Sequence, residues 1–236
     1  MKKGLLLIAF ALLLTGVATT TAWADDWYLW DWSVNINDTT YNPPALPGTV
    51  NSATFDFNTG LGSMTITFSS PGANYGGIYL YPFWNIDQSP GDFSNAYGTV
   101  NGVPPAGLSY SLGWPGVDYG AGSVFDMFAL DTLDNTNHVP AYAPPPDACC
   151  SVAMGENFAF ILSPGETGLL TFSTSTTPPP GGFFLQLTDN DNGENYYLTE
   201  SFTIKSSTEV PEPASALLLV SGLGAMLGLR RKSAVK

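Results

Sequence analysis

Positive charge is what this sequence lacks most. Its 236 residues hold 7 Lys+Arg against 20 Asp+Glu, and six of the seven bases sit near the ends: Lys2, Lys3, Arg230, Arg231, Lys232 and Lys236. Lys205 is the only base between Asp25 and Glu209, where 19 acids accumulate, a net −18 (1 − 19) for that stretch. Without a basic patch nothing neutralises phosphates, which excludes nucleic acid as a partner. It also excludes direct binding to anionic lipid. No arginine in the stretch can clamp a phosphate or carboxylate substrate. Internal salt bridges are scarce by the same count, so stability must rest on apolar burial and backbone hydrogen bonds.

Other scarcities narrow the chemistry. His138 is the only histidine, and the two cysteines, Cys149 and Cys150, are neighbours. That leaves zinc without a ligand set. Ser-His-Asp catalysis would have to use His138, in an Asn/Pro-rich loop beside Pro140, and no serine has the glycine surround of a nucleophile elbow. We expect no enzyme. A secreted carbohydrate-active enzyme stays as a remoter alternative, because a glycosidase needs only two carboxylates. Long helical periodicity is also missing between the ends. With 25 Gly and 19 Pro, a helical bundle is excluded.

What is present begins with the two ends. Lys2 and Lys3, the apolar run Leu5 to Leu14, and Ala22-Trp23-Ala24 read as a signal peptide over 1–24. Ala22 and Ala24 mark the cleavage site for signal peptidase. At the other end, Val210-Pro211-Glu212-Pro213 precedes the apolar run Ala214 to Leu229. Arg230, Arg231 and Lys232 follow, as a cytoplasmic membrane stop by the positive-inside rule. The run would reach roughly 24 Å as a helix, slightly short of a full span.

Between them the pattern is of short strands. Ala53–Phe57 and Met64–Phe68 flank Asn58-Thr59-Gly60-Leu61-Gly62 and read as a hairpin. Gly77–Tyr81 is a strand stopped by Pro82; Phe158–Leu162 and Gly168–Ser173 are further strands. Phe183–Leu187 and Tyr196–Leu198 flank a turn at Asn192-Gly193, and Ser201–Ile204 ends the series. Thr67-Phe68-Ser69…Gly76-Gly77-Ile78 and Thr171-Phe172-Ser173…Gly181-Gly182-Phe183 look alike; they read as two similar hairpins in one sandwich, with a diverged duplication as the alternative. The expected fold is all-β: one antiparallel β-sandwich ectodomain over 25–208, between a signal peptide and a hydrophobic sorting helix over 209–236.

Val-Pro-Glu-Pro, an apolar segment and Arg-Arg-Lys, in that order, closely resemble the PEP-CTERM sorting tail of bacterial exported proteins. The resemblance implies processing near Pro211-Glu212-Pro213 by an exosortase-like membrane enzyme. It implies a transient inner-membrane tether, then release to the cell surface or outside, in company with exopolysaccharide or biofilm. The segments Thr59–Ser63, Leu133-Asp134-Asn135, Ser151–Gly155, Ser163–Glu166 and Gly182–Leu185 also resemble the ectodomain of a loose group of PEP-CTERM proteins without an assigned activity. The expected function is that of an exported, non-enzymatic surface or matrix protein. The alternatives are a glycan-binding module, calcium-assisted or not, and more remotely an ice-binding protein, for which Thr171 to Thr177 is the motivating run.

Three local features are candidate sites. Cys149-Cys150, in an oxidising compartment, admits a strained vicinal disulfide, two free thiols or intermolecular bridges. Asp189 and Asp191, with Glu200 beyond, offer oxygen ligands for calcium. A hairpin turn at Asn192-Gly193 explains the same letters, and no other cofactor is expected. Trp27, Tyr28, Trp30 and Trp32, and again Tyr79, Tyr81, Phe83 and Trp84, are core residues or sugar-stacking faces. Strand alternation places Trp30 and Trp32 on one face, and Tyr79, Tyr81 and Phe83 on another.

Overall fold

The computed structural model describes residues 27–42, 44–84, 96–141, 151–190 and 193–206. Segment 1–24, Cys149, Cys150, Asp191 and the tail 209–236, with Val210–Pro213 and Arg230–Lys232, lie outside the described residues.

Twelve strands are described: β1 (Trp27–Ile36), β2 (Thr39–Tyr41), β3 (Val50–Phe55), β4 (Gly62–Phe68), β5 (Gly72–Trp84), β6 (Ala96–Asn101), β7 (Leu108–Gly113), β8 (Thr136–Asn137), β9 (Ala153–Leu162), β10 (Glu166–Ser175), β11 (Phe184–Asp189) and β12 (Asn195–Ser206). A single short helix, α1 (Val124–Ala129), is described between β7 and β8. The strands form two six-stranded sheets. Sheet A runs β2-β1-β5-β9-β7-β8 and sheet B runs β3-β4-β10-β12-β11-β6. All pairings are antiparallel except the short β7/β8 pair. The described residues are mostly strand, consistent with the expected all-β class.

One hydrophobic core draws on both sheets. It takes Val34, Ile78, Leu80, Leu112, Met154 and Phe158 from sheet A, and Met64, Ile66, Leu170, Phe172, Leu185 and Leu198 from sheet B. Rings meet across the divide. Phe158 and Phe202 lie 5.0 Å apart, and Phe68 and Phe160 lie 4.9 Å apart. Each fully buried aliphatic or aromatic side chain stabilises by roughly 1.5–3 kcal/mol, which replaces the salt bridges the composition denies.

Two expected hairpins stand. β3 pairs with β4, and β11 with β12. The first is closed by Gly60, at φ +71, whose carbonyl accepts from the buried hydroxyls of Tyr196 and Thr174. Other expectations need correction. The two look-alike segments are not hairpins. β4 and β5 belong to different sheets, and β12 lies between β10 and β11. A strand's letters fix its faces but not its neighbours. Pro82 does not stop its strand either. β5 runs through it to Trp84, and Pro82 pairs with Leu29, beside a register shift between Leu29 and Asp31. A bulge is where a strand tolerates proline.

Sheet A has a second covered face. α1 lays Val124, Met127 and Phe128 over Tyr79 and Ala153. Ser123 caps the helix and shares a capping box with Asp126. Its other end is pinned to the sheet by two buried amides. Asn35 Nδ2 and Asn157 Nδ2 donate to the Phe128 carbonyl at 3.3 and 3.2 Å. Gly77 leaves the room between them. A Cβ there would lie 1.7 Å from Asn157 Oδ1 and 2.6 Å from the Glu156 carbonyl. Gly77→Ala should therefore destabilise by about 1–3 kcal/mol, as other overpacked sites do. Gly48→Ala, where a Cβ meets nothing within 4 Å, should stay within about 0.5 kcal/mol. Urea unfolding of both variants checks the contrast.

Candidate functional site

The outward face of sheet B is built from the odd-numbered positions of β4, β10 and β12, because their even-numbered partners fill the core. Register sets these outward residues in transverse rows. Ser63, Ser173 and Thr199 make one row; Thr65, Thr171 and Ser201 the next; Thr67, Leu169 and Thr203 a third. Eight of these nine positions are serine or threonine, leaving only Leu169 apolar. Rows are spaced about 7 Å along the strands, and neighbouring strands lie about 4.8 Å apart. Ser63 and Ser173 hydroxyls lie 2.8 Å apart, as do those of Thr65 and Thr171. Each hydroxyl keeps further donor or acceptor capacity toward solvent.

The face continues into a groove. The chain leaving β10 crosses over β12 to reach β11, and its prolines form a wall. Ser173, Ser175, Thr177, Pro178–Pro180, Tyr197 and Thr199 line a cleft of about 280 Å³. The Tyr197 ring is braced edge-on by Phe184 at 5.8 Å. Beyond it, Gln186 Nε2 and Thr188 Oγ1 both donate to Asn195 Oδ1 at 2.8 Å. None of these lining residues carries charge, in a region whose net charge is −18 (1 − 19). Such a surface can exchange neutral hydrogen bonds with hydroxylated ligands and can pack a sugar's CH face on proline.

The residues singled out from sequence are dispersed. Asp189 ends β11 and closes the hairpin: its N–H donates to the Glu194 carbonyl and its carbonyl accepts from Gly193 N–H. Glu200 lies on β12, six residues past Glu194, roughly 20 Å further along at strand rise. Asp189 and Glu200 are not brought together. No cluster of three His, Cys, Asp or Glu occurs among the described residues.

The aromatic groups mostly pack. Trp27, Trp32 and Tyr79 are buried, and Tyr81 packs beside α1. Trp30 and Trp32 do not share a face. The register shift between Leu29 and Asp31 turns Trp30 out, 76% exposed, while Trp32 stacks on Phe57 at 4.6 Å. The bulge breaks the alternation that the spacing assumes. Tyr28 also remains exposed.

His138 does meet a serine and an aspartate, in the wrong order for acyl transfer. Ser111 Oγ lies 2.7 Å from Asp134 Oδ1, and His138 Nε2 lies 3.0 Å from Asp134 Oδ2. The carboxylate sits in the middle, so imidazole never reaches the hydroxyl, and Ser111 is buried. Tyr119 stacks on His138 at 3.9 Å, which completes a structural clasp. Partial burial pushes the Asp134 carboxyl up, but hydrogen bonds from Ser111 and the nearby His138 hold it below the usual range.

Of the hydroxyl rows, the sequence pointed only to the Thr171 to Thr177 run on β10. The alternation Ser63-x-Thr65-x-Thr67 was visible. Its continuation onto Thr171 and Ser201 depends on register, which is not local. No protein-family model, curated protein or solved structure matches the chain.

The clasp gives a pH test. The folded-state pKa of Asp134 is depressed, so its stabilisation is full above about pH 4 and is lost as pH falls below that. Asp134→Asn should cost stability at about pH 6, and the gap from the parent should shrink toward about pH 2.5. Urea midpoints at the two values measure it; an unchanged gap would contradict the clasp.

Proposed function

We propose that this chain is an exported, non-enzymatic cell-surface or matrix protein that holds hydroxylated polysaccharide on the outward face of sheet B. In this reading the two sheets form a face-to-face sandwich. It is delivered by segment 1–24, tethered by 209–236, and released by an exosortase-like enzyme near Pro211-Glu212-Pro213. The observation that carries the binding part is the three-row hydroxyl array. It is regular, and it opens into a groove walled by Pro178–Pro180 and Tyr197. A neutral face on an acidic body suits an uncharged stretch of polymer. Acidic polymer would be repelled unless divalent cations intervened. Exposed Trp30 and Tyr28 add a second stacking point at the bulge of β1.

The same array favours one second reading, ice binding, since evenly spaced hydroxyls on a sheet also suit an ordered water surface. A glycan array and exopolysaccharide pull-down, run beside a freezing-hysteresis assay, separate the two. Thr65→Val with Thr171→Val keeps the shape and removes two hydroxyls. It should weaken polysaccharide binding about tenfold at little cost in stability. Retention of full binding would move the site off this face. Intact mass of the released chain tests the sorting part, and a chain still carrying residues 214–236 in the medium contradicts it.

A further inference from the structure

The most unusual polar groups in this protein are inside it. β9 and β12 each lie fourth in their sheets, at the centre of the molecule. Each turns one glutamate inward. Glu156 is fully buried, opposite Ile78 on one side and Tyr110 on the other. Glu200, partly buried with its Oε2 inside, is opposite Phe172 on sheet B. Two residues further along each strand, Phe158 and Phe202 meet at 5.0 Å, so the two carboxyls stand across the core from one another. Neither oxygen of Glu156 has a hydrogen-bond partner, and Glu200 Oε2 has none.

Something must neutralise this pair, because a lone buried carboxylate is very costly. No cation is at hand. Their cross-strand partners are Ile78, Tyr110 and Phe172, and the inward neighbours on their own strands are Phe158, Leu198 and Phe202; among these Tyr110 is the only titratable group. Lys205 has the opposite strand parity to Glu200 and is exposed. Asp189 lies roughly 20 Å away along the hairpin. Two carboxyls with three vacant oxygens are too few for calcium, which takes six to eight ligands. One proton shared between two carboxyls fits the inventory, as an O–H···O⁻ bond is short and strong.

We propose that Glu156 and Glu200 form a proton-bound carboxyl pair that fastens the two central strands across the core, and that losing its proton loosens the two sheets. The protein is thereby base-labile. The direction follows from linkage. Burial, with the Glu200 charge added, lifts Glu156 well above the ordinary carboxyl range, and burial lifts Glu200 to about 7. The folded chain therefore keeps protons that the unfolded chain releases near 4.5. Stability is full below that value and is lost as pH rises through the folded values. Asp56, Asp126 and Asp134 are held low and act only below about pH 4, outside this window.

Two measurements on the full chain test it. Thermal unfolding should show Tm falling by roughly 5 °C between about pH 5.5 and 8. Glu156→Gln with Glu200→Gln should flatten that slope, which separates the pair from general self-repulsion among the surface acids. An equal slope in both proteins overturns the proposal. Infrared spectroscopy needs no variant and decides the matter should the double variant fail to fold. At about pH 6 exposed carboxyls are ionised, so a protonated-carboxyl C=O band that disappears on raising the pH supports the pair. Its absence overturns it. A chelator that lowers Tm at that pH, with the band missing, would assign the neutralising role to a bound cation instead and likewise overturn it.

Discussion

The structure depends on one constraint: an acidic chain has to close a core without cations. Between Asp25 and Glu209 the chain has one lysine to set against 19 acids, and that lysine is exposed on β12. The fold answers by putting acids at turns and caps, where backbone N–H groups can serve them. Asp126 caps α1 through Ser123, Asp56 accepts from the Asn58 N–H, and Asp118 accepts from Gly120 and Gly122. The acid–base contact described, His138–Asp134, uses the sole histidine. The rest is apolar contact, the backbone ladder and neutral side-chain hydrogen bonds such as those of Asn35, Asn157 and Tyr196. The exception is the pair of glutamates at the centre, where the missing cation has no backbone substitute.

The same constraint gives the outer face of sheet B its character. A −18 region has to place its carboxylates somewhere, yet the strands β4, β10 and β12 present almost nothing but hydroxyls outward. Hydrogen-bonded serine and threonine rows hold neighbouring strands together side chain to side chain. They also leave a neutral platform. Structural and binding roles here use the same atoms.

How much of this was legible in the sequence depended on range. Alternation in Met64–Phe68 and Leu185–Leu187, with turn glycines beside them, gave two hairpins correctly because both signals are local. The Trp30/Trp32 pairing failed because nothing in Trp-Tyr-Leu-Trp-Asp-Trp announces an extra residue. The look-alike segments around Phe68 and Phe172 failed for another reason: which sheet a strand joins is decided by partners a hundred residues away. Ser123-Val-Phe-Asp126 was a readable capping box, passed over because the helix it starts is only six residues long. Glu156 was invisible, since an acid in a strand reads as solvent-facing. Only the register against Ile78 and Tyr110 puts it inside.

The seat of α1 carries a consequence for how the chain folds. A six-residue helix has no stability of its own in water. Its C-terminal carbonyl is held by Asn35 from β1 and Asn157 from β9, over the gap that Gly77 leaves in β5. Those three strands come from distant parts of the sequence and pair side by side, β1 with β5 and β5 with β9. Until they have zipped in register the two amides are not on the same surface, and the helix has nowhere to land. Helix formation is therefore a late event in folding, gated by long-range strand pairing that is itself slow.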